Sequence, residues 1–229
     1  MVAVTLGSVT FDAAHTTVRE KLEEVGGRDC RAIEIVGFVV GAPTVGDIEA
    51  ALDAILAAAS DEAHETELSV RAGRVMWVRR VGFKREVSRE TLVGSFQLTL
   101  EAEDPFEMSD TEHLSEWEVL ESGATHVVAA VGNVFSEPVI TLVADGGVVN
   151  PSFTDGARQI AYAGTVADGE SLVFDGPAGK VTLEGADVTP YTSGVFPRLA
   201  PGNTTLTYHD DDSSSHSASV SVAFRDRWW

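Results

Sequence analysis

Residues 196–229 read FPRLAPGNTTLTYHDDDSSSHSASVSVAFRDRWW, and their pattern sets the fold class. Residues 204–208 and 218–224 alternate β-branched or aromatic residues with small polar ones, the period-two signature of half-buried strands. The polar run between them has turn composition, so the two strands are expected to form a hairpin with residues 209–217 at its tip. Pro201-Gly202-Asn203 supplies a tight turn ahead of the first strand, because Pro presets φ while Gly and Asn tolerate positive φ. The stretch closes on Arg225-Asp226-Arg227-Trp228-Trp229. Two tryptophans are costly to leave in water. The expectation is that they seal a core, with docking on a neighbouring subunit as the alternative.

Working outward, 229 residues suffice for one large domain or two small ones. The chain carries 36 acidic against 16 basic residues, a formal net charge of −20. That balance argues against nonspecific DNA binding, which depends on neutralising phosphates. It suits a protein kept soluble in high salt, so a halophilic source is one expectation. The single cysteine, Cys30, excludes an internal disulfide and a cysteine-based zinc site. The opening MVAVTLGSVTFD has neither a basic n-region nor an apolar h-region. No run reaches the apolar length of a membrane span, since even residues 48–59 carry Glu49 and Asp53. Synthesis and folding in a cytoplasm, away from membranes, are expected.

Residues 2–11 read as a strand interrupted at Gly7-Ser8, and Gly26-Gly27-Arg28-Asp29 as a turn. Residues 32–40 read as a strand. The one helix is expected over 44–59: Thr44 can cap it, Asp47 favours the positive end of its dipole, and Ile48, Leu52, Ile55 and Ala59 form one apolar stripe. Ser60-Asp61-Glu62 should end it in a polar loop. Strands follow at 67–70, 74–84 and 92–102, the last with Phe96, Leu98 and Leu100 on one face, and Asp104-Pro105 stops it. The chain is therefore expected to be mainly β: an α+β domain over 1–108 with one helix on a sheet, an acidic linker over 109–123, and an all-β sandwich or barrel over 124–229. In the last part, strands at 127–131, 139–144, 159–162, 171–174 and 180–183 are punctuated by Asp-Gly turns, and no internal repeat is visible.

Little of this composition looks catalytic. His209, Asp210, Asp211, Asp212 and His216 could converge on a divalent cation, but Asp and Ser at a hairpin tip are expected for turn chemistry alone. No spacing matches a calcium loop. Arg71, Arg74, Arg79, Arg80, Lys84, Arg85 and Arg89 make a basic ribbon, read as a solvated strand face or a contact with acidic strands of a neighbouring subunit rather than a nucleic-acid site. Cys30 has no histidine partner motif and reads as a buried structural thiol. No GxSxG elbow, zinc-protease spacing or phosphate loop occurs. No catalytic residue, cofactor or metal is expected.

Gly132-Asn133, Glu137-Pro138-Val139-Ile140, Tyr162-Ala163-Gly164, Gly169-Glu170-Ser171-Leu172-Val173-Phe174-Asp175, Leu199-Ala200-Pro201-Gly202-Asn203 with Leu206-Thr207-Tyr208, and Phe224-Arg225-Asp226-Arg227-Trp228 form a set of short motifs. Taken in order, the set resembles the distal tail proteins of siphophages. In the first half, Gly27-Arg28-Asp29 and Asp104-Pro105-Phe106 are similar to family motifs, although Cys30 stands where a glycine is usual. The resemblance implies a virion tail protein assembled in the host cytoplasm. Its first domain would form a hexameric ring continuing the tail tube, and its second, a galectin-like sandwich, would decorate the outside. Tail tube, tape measure and hub or fibre proteins would be the partners, with DNA passing through an acidic lumen. The alternatives are another tail-ring protein, for which the extra β-half is superfluous, and a carbohydrate-binding adhesin module. Trp77, Trp117, Trp228 and Trp229 are too dispersed for an evident sugar platform. A hydrolase is disfavoured by the missing constellation.

Overall fold

A computed structural model describes residues 4–25, 28–59 and 64–229. The chain divides into two compact units, 1–110 together with Trp229, and 111–228. The Gly26-Gly27 turn and the polar loop 60–62 lie outside the described residues.

Alternation and capping together build the first unit. Strands β1 (Val4–Leu6) and β2 (Val9–Phe11) are a short hairpin rather than one interrupted strand. Next come β3 (Thr16–Val25) and β4 (Arg28–Val39), paired along their whole length. Helix α1 (Val45–Ala58) is followed by β5 (Thr66–Arg71), β6 (Arg74–Ser88), β7 (Val93–Ala102) and β8 (Glu107–Ser109). The pairing path is β2-β1-β5-β6-β7-β4-β3, with β8 also on β6. The helix starts where the sequence places it. The Thr44 hydroxyl accepts from the Asp47 amide at 3.2 Å, and the Asp47 carboxylate accepts from the Thr44 amide at 3.1 Å. Ile48, Leu52 and Ile55 are buried against the inward side of the sheet, where Ile33, Ile35, Phe96, Leu98 and Leu100 complete the core. Gly94 allows the approach, since a Cβ there would lie 2.5 Å from Ile48 Cγ2.

Thirteen strands, followed by the two-residue β22 (Arg227–Trp228), and one 3₁₀ turn (Thr189–Tyr191) account for most of the second unit. In chain order they are β9 (His113–Val119), β10 (Thr125–Ala130), β11 (Val139–Ala144), β12 (Val148–Val149), β13 (Ser152–Thr154), β14 (Gln159–Tyr162), β15 (Thr165–Val166), β16 (Ser171–Asp175), β17 (Lys180–Leu183), β18 (Ala186–Asp187), β19 (Thr192–Gly194), β20 (Gly202–His209) and β21 (Ala218–Phe224). One sheet has the order β10-β20-β13-β14-β19, the other β18-β17-β16-β11-β21-β9, and β12 pairs with β15. Their inward residues form a single core. Phe153 of the five-stranded sheet meets Phe174 of the six-stranded sheet edge-on, with ring centroids 5.5 Å apart, and Tyr208 lies 5.6 Å from Phe153.

Three expectations need correcting. First, β20 and β21 are not a hairpin: β20 pairs with β10 and β13, and β21 with β11 and β9. A connection of eight residues, 210–217, carries the chain from one sheet to the other, which two-residue hairpin loops never do. Second, the stretch expected to be irregular holds strand β9, because His113, Ser115, Trp117 and Val119 share the inward register of Phe224, Val222, Val220 and Ala218. Its outward residues, Leu114, Glu116 and Glu118, hide the alternation behind acidic charge. Third, Trp228 is only half-buried, Trp229 is 49% exposed, and neither joins a core cluster. Trp229 groups with the first unit, its ring edge-on to Phe106 at 4.6 Å.

Gly132 is required by a close crossing. A Cβ there would lie 2.2 Å from the carbonyl oxygen of Arg227, which also accepts from the Asn133 amide at 3.0 Å. Gly132→Ala should therefore cost at least roughly 2 kcal/mol of unfolding free energy, measured by urea denaturation, whereas Gly179→Ala, with no neighbour in reach, should cost less.

Candidate functional site

The acidic connection between β20 and β21 gathers only part of the residues considered for a metal. Asp210 has a fully buried carboxylate, and His216 Nδ1 lies 2.8 Å from its Oδ1. The Tyr208 hydroxyl donates to Oδ2 at 2.8 Å, and the Ser122 hydroxyl both accepts from the Asp210 amide and donates to its carbonyl. Burial, and then the Asp210 carboxylate, push the Tyr208 phenol well above its ordinary pKa. His209 and Asp212 are exposed and outside this knot. Among the described residues, no group of three or more His, Cys, Asp or Glu side chains is gathered as a metal ion would need. The connection is a fastened crossing. Asp211 accepts from Ser213, the Asp211 amide donates to Val149, and the Ser214 hydroxyl accepts from the Val149 amide. His216 takes a left-handed φ of +58°, a strained conformation for a non-glycine residue.

Four of the seven ribbon residues, Arg71, Arg74, Arg79 and Arg85, are paired with carboxylates inside the first unit. Arg71 spans Glu20, at 2.9 Å, and Glu107, at 2.5 Å, while Arg74 also reaches Glu107 and Arg31 reaches Glu20 at 3.0 Å. Glu107 is 1% exposed and Arg31 5%, so both are buried charges held by their partners. Arg79 pairs with Glu101 and Glu103, Arg85 with Asp53, and Arg80 donates to the Leu56 carbonyl. The sequence reading saw the arginines but not Glu20 or Glu107, which come from strands distant along the chain. Cys30 is buried as expected, and burial followed by nearby Glu101 raises its thiol pKa.

Two further polar centres carry no motif signal beyond an Asp in a turn. Asp155 accepts from the amides of Ala157, Arg158 and Arg198. Burial acts to raise its pKa, but these bonds and the Arg158 charge outweigh it and hold the carboxyl below 3.8. Asp226, 3% exposed, accepts from the Val131 amide at 2.7 Å and lies 3.0 Å from His113 Nε2. Across the open side of the sandwich, Trp117 stacks on His126 at 4.5 Å, and His126 Nε2 lies 2.8 Å from the Ser115 hydroxyl. In the first unit, a shallow apolar groove of about 330 Å³ runs past Val9, Phe11, Phe38 and Val40. These arrangements fasten strands.

An α+β unit followed by a β-sandwich defines a mainly β protein of two compact units. Comparison with known proteins narrows the class. The family described as siphovirus-type tail component, C-terminal domain, matches residues 131–228, a stretch wholly inside the second unit. The Dit protein (gp 19.1) of phage SPP1, whose crystal structure is presented as a paradigm of the hub adsorption apparatus in phages infecting Gram-positive bacteria, has a similar fold. The TM-score is 0.66 at 13% identity, covering 99% of this chain and 92% of that one. No curated protein matches. Residues 131–228 are thus similar to a siphovirus-type tail component, and the whole chain shares its fold with a hub protein.

Paired and exposed charges should separate clearly in energy. Glu107→Gln should destabilise the protein by roughly 1–3 kcal/mol in urea unfolding, because Arg71 and Arg74, both partly exposed, lose a shared buried anion. Asp53→Asn, at an exposed pair, should change it by about 1 kcal/mol or less. For Asp155 the folded pKa lies below the unfolded one, so its contribution is present above 3.8 and lost as pH falls through the folded value. The stability gap between the wild type and Asp155→Asn, measured by urea unfolding at successive pH values, should accordingly shrink on acidification.

Proposed function

We propose that this protein is a distal tail protein of a long, non-contractile-tailed virus, forming a ring that joins the tail tube to the tail-tip and receptor-binding apparatus. The observation that carries the reading is the match of residues 131–228 to a siphovirus tail component, supported by a whole-chain fold similarity to a hub protein. The first unit is the ring-forming domain. Its sheet ends in β2 and in the ten-residue β3, each paired on one side only among the described residues, which suits head-to-tail extension between copies. The second unit is the outer sandwich. Six copies make the ring, the tail tube, tape measure and hub or fibre proteins adjoin it, and DNA passes through without being held. With a net charge of −20, an acidic lumen repels the phosphate backbone and lets it slide. The role is non-catalytic.

Cryo-electron microscopy of intact particles tests this directly, with density for this chain expected as a ring between tube and tip. Density in the tube alone would transfer the assignment to a tube subunit, and a basic lumen would remove the sliding argument. Light scattering of the purified chain in low and high salt should show a ring-sized species favoured by salt, which screens repulsion between equally acidic copies.

A further inference from the structure

The second unit, residues 111–228, carries 16 acidic and five basic residues, and the strand registers sort them by end. Every basic residue, Arg158, Lys180, Arg198, Arg225 and Arg227, falls at the end where β10, β13, β16 and β21 finish and β11, β14, β17 and β20 begin. The bridges Val134–Arg227 and Ser136–Leu199, and the Arg198 amide on Asp155, tie these segments together. Phe135 lies among them, with the Arg198 guanidinium 4.0 Å from its ring centroid. The Asp155 and Asp226 side chains are only 5% exposed, while those of Arg158 and Arg198 are 40% and 36% exposed, so cations reach the surface above their carboxylates. The opposite end is made of residues 120–124, 145–147, 167–170, 184–185 and 210–217. It holds eight of the 16 carboxylates and no Lys or Arg. Asp168 there accepts from the Gly146 amide at 2.8 Å and Glu184 from the Ser171 amide at 2.6 Å, while Asp145, Asp211 and Asp212 are exposed.

We infer that second units of neighbouring copies meet end to end, the arginine end of one against the carboxylate end of the next. The inference rests on the ring reading and names the contact by which second units join it. The chain itself supplies both halves of that contact. A uniformly acidic partner is repelled by the carboxylate end and a uniformly basic one by the arginine end, whereas a surface polarised like this unit matches both. The same polarity fixes the symmetry. A twofold axis would press like ends together, but a head-to-tail step sets opposite ends in contact and repeats around a closed ring. Arginine suits the task, because its planar fork accepts a carboxylate on two donors and keeps its charge at an interface. Each whole copy carries −20, so salt must first screen the long-range repulsion, while the closely apposed pairs are screened far less.

Cross-linking of two full-length variants in high salt tests the inference. Ala157→Cys places a thiol beside Arg158 at one end, and Ser213→Cys places one beside Asp212 at the other, both at exposed positions. Mixed and treated with a short bismaleimide, the two should give about tenfold more covalent dimer than either variant alone. The wild type, whose Cys30 is buried, serves as the blank. Adding Arg158→Glu and Lys180→Glu to the Ala157→Cys chain should remove most of the mixed product. Adding Arg19→Glu, an exposed position of the first unit, should leave it intact. Circular dichroism confirms that each variant is folded. Absence of the mixed product, a yield no greater than that of either variant alone, or a product undiminished by the charge reversal overturns the inference. Light scattering on the same samples separates this from the ring reading. A ring-sized species without the mixed product overturns the contact and leaves the ring, and a mixed product without a ring-sized species supports the contact and removes the ring.

Discussion

Glu20 lies on the last strand of the first unit's pairing path, four strands beyond β5, yet its carboxylate reaches Arg71 at the end of β5. Only a sheet that curls back on itself can bring those strands together. The curl is what lets one face be dry: Ile33, Ile35, Leu98, Leu100 and the helix stripe are enclosed within a single wrapped sheet. Where the enclosure runs out, the inward register of β4 continues from Ile35 and Ile33 to Arg31, and the chain of charges Arg31–Glu20–Arg71–Glu107–Arg74 takes over from the aliphatic core. Buried ion pairs contribute little net stability against an apolar alternative, but an uncompensated member is costly. The network therefore specifies which strands close the curl more than it strengthens the closure.

The second unit solves the same burial problem with two sheets, and its constraint is the passage between them. The chain crosses between the two sheets six times, first after β9 and last after β20. Each change carries polar backbone past the rim of a core, where every amide and carbonyl needs a partner. The Asp210 knot meets that need for the last passage and ties in Ser122, which lies on the first. An acidic run that looks made for solvent or a cation is thus occupied in holding two crossings together.

Much of this was legible from residues alone. Helix α1 and its Thr44 cap, strands β11, β14, β16 and β17, and the alternation of β7 all follow from periods of 3.6 and 2 with turn punctuation. What period-two patterning cannot carry is the identity of the neighbour. The alternations in β20 and β21 are the same whether the strands pair side by side or face each other across a core, and connection length was the discriminating clue. Strand β9 was masked because an edge strand with Glu116 and Glu118 outward reads as linker composition. Arg71 and its neighbours were visible as a ribbon, but their anions arrive from positions up to 51 residues away, a separation no local pattern encodes. Order of motifs, rather than any one of them, carried the family resemblance, and the 131–228 match falls where those motifs are densest.

Gly132 and Arg227 touch through their backbones, Val134 bridges to Arg227, and His113 pairs with Phe224. The strand that opens the second unit and the segment that closes it are thus sewn together on one side of the sandwich. A domain whose entry and exit adjoin occupies a host chain almost as a side branch: it can be exchanged, duplicated or enlarged with little disturbance to what it is attached to.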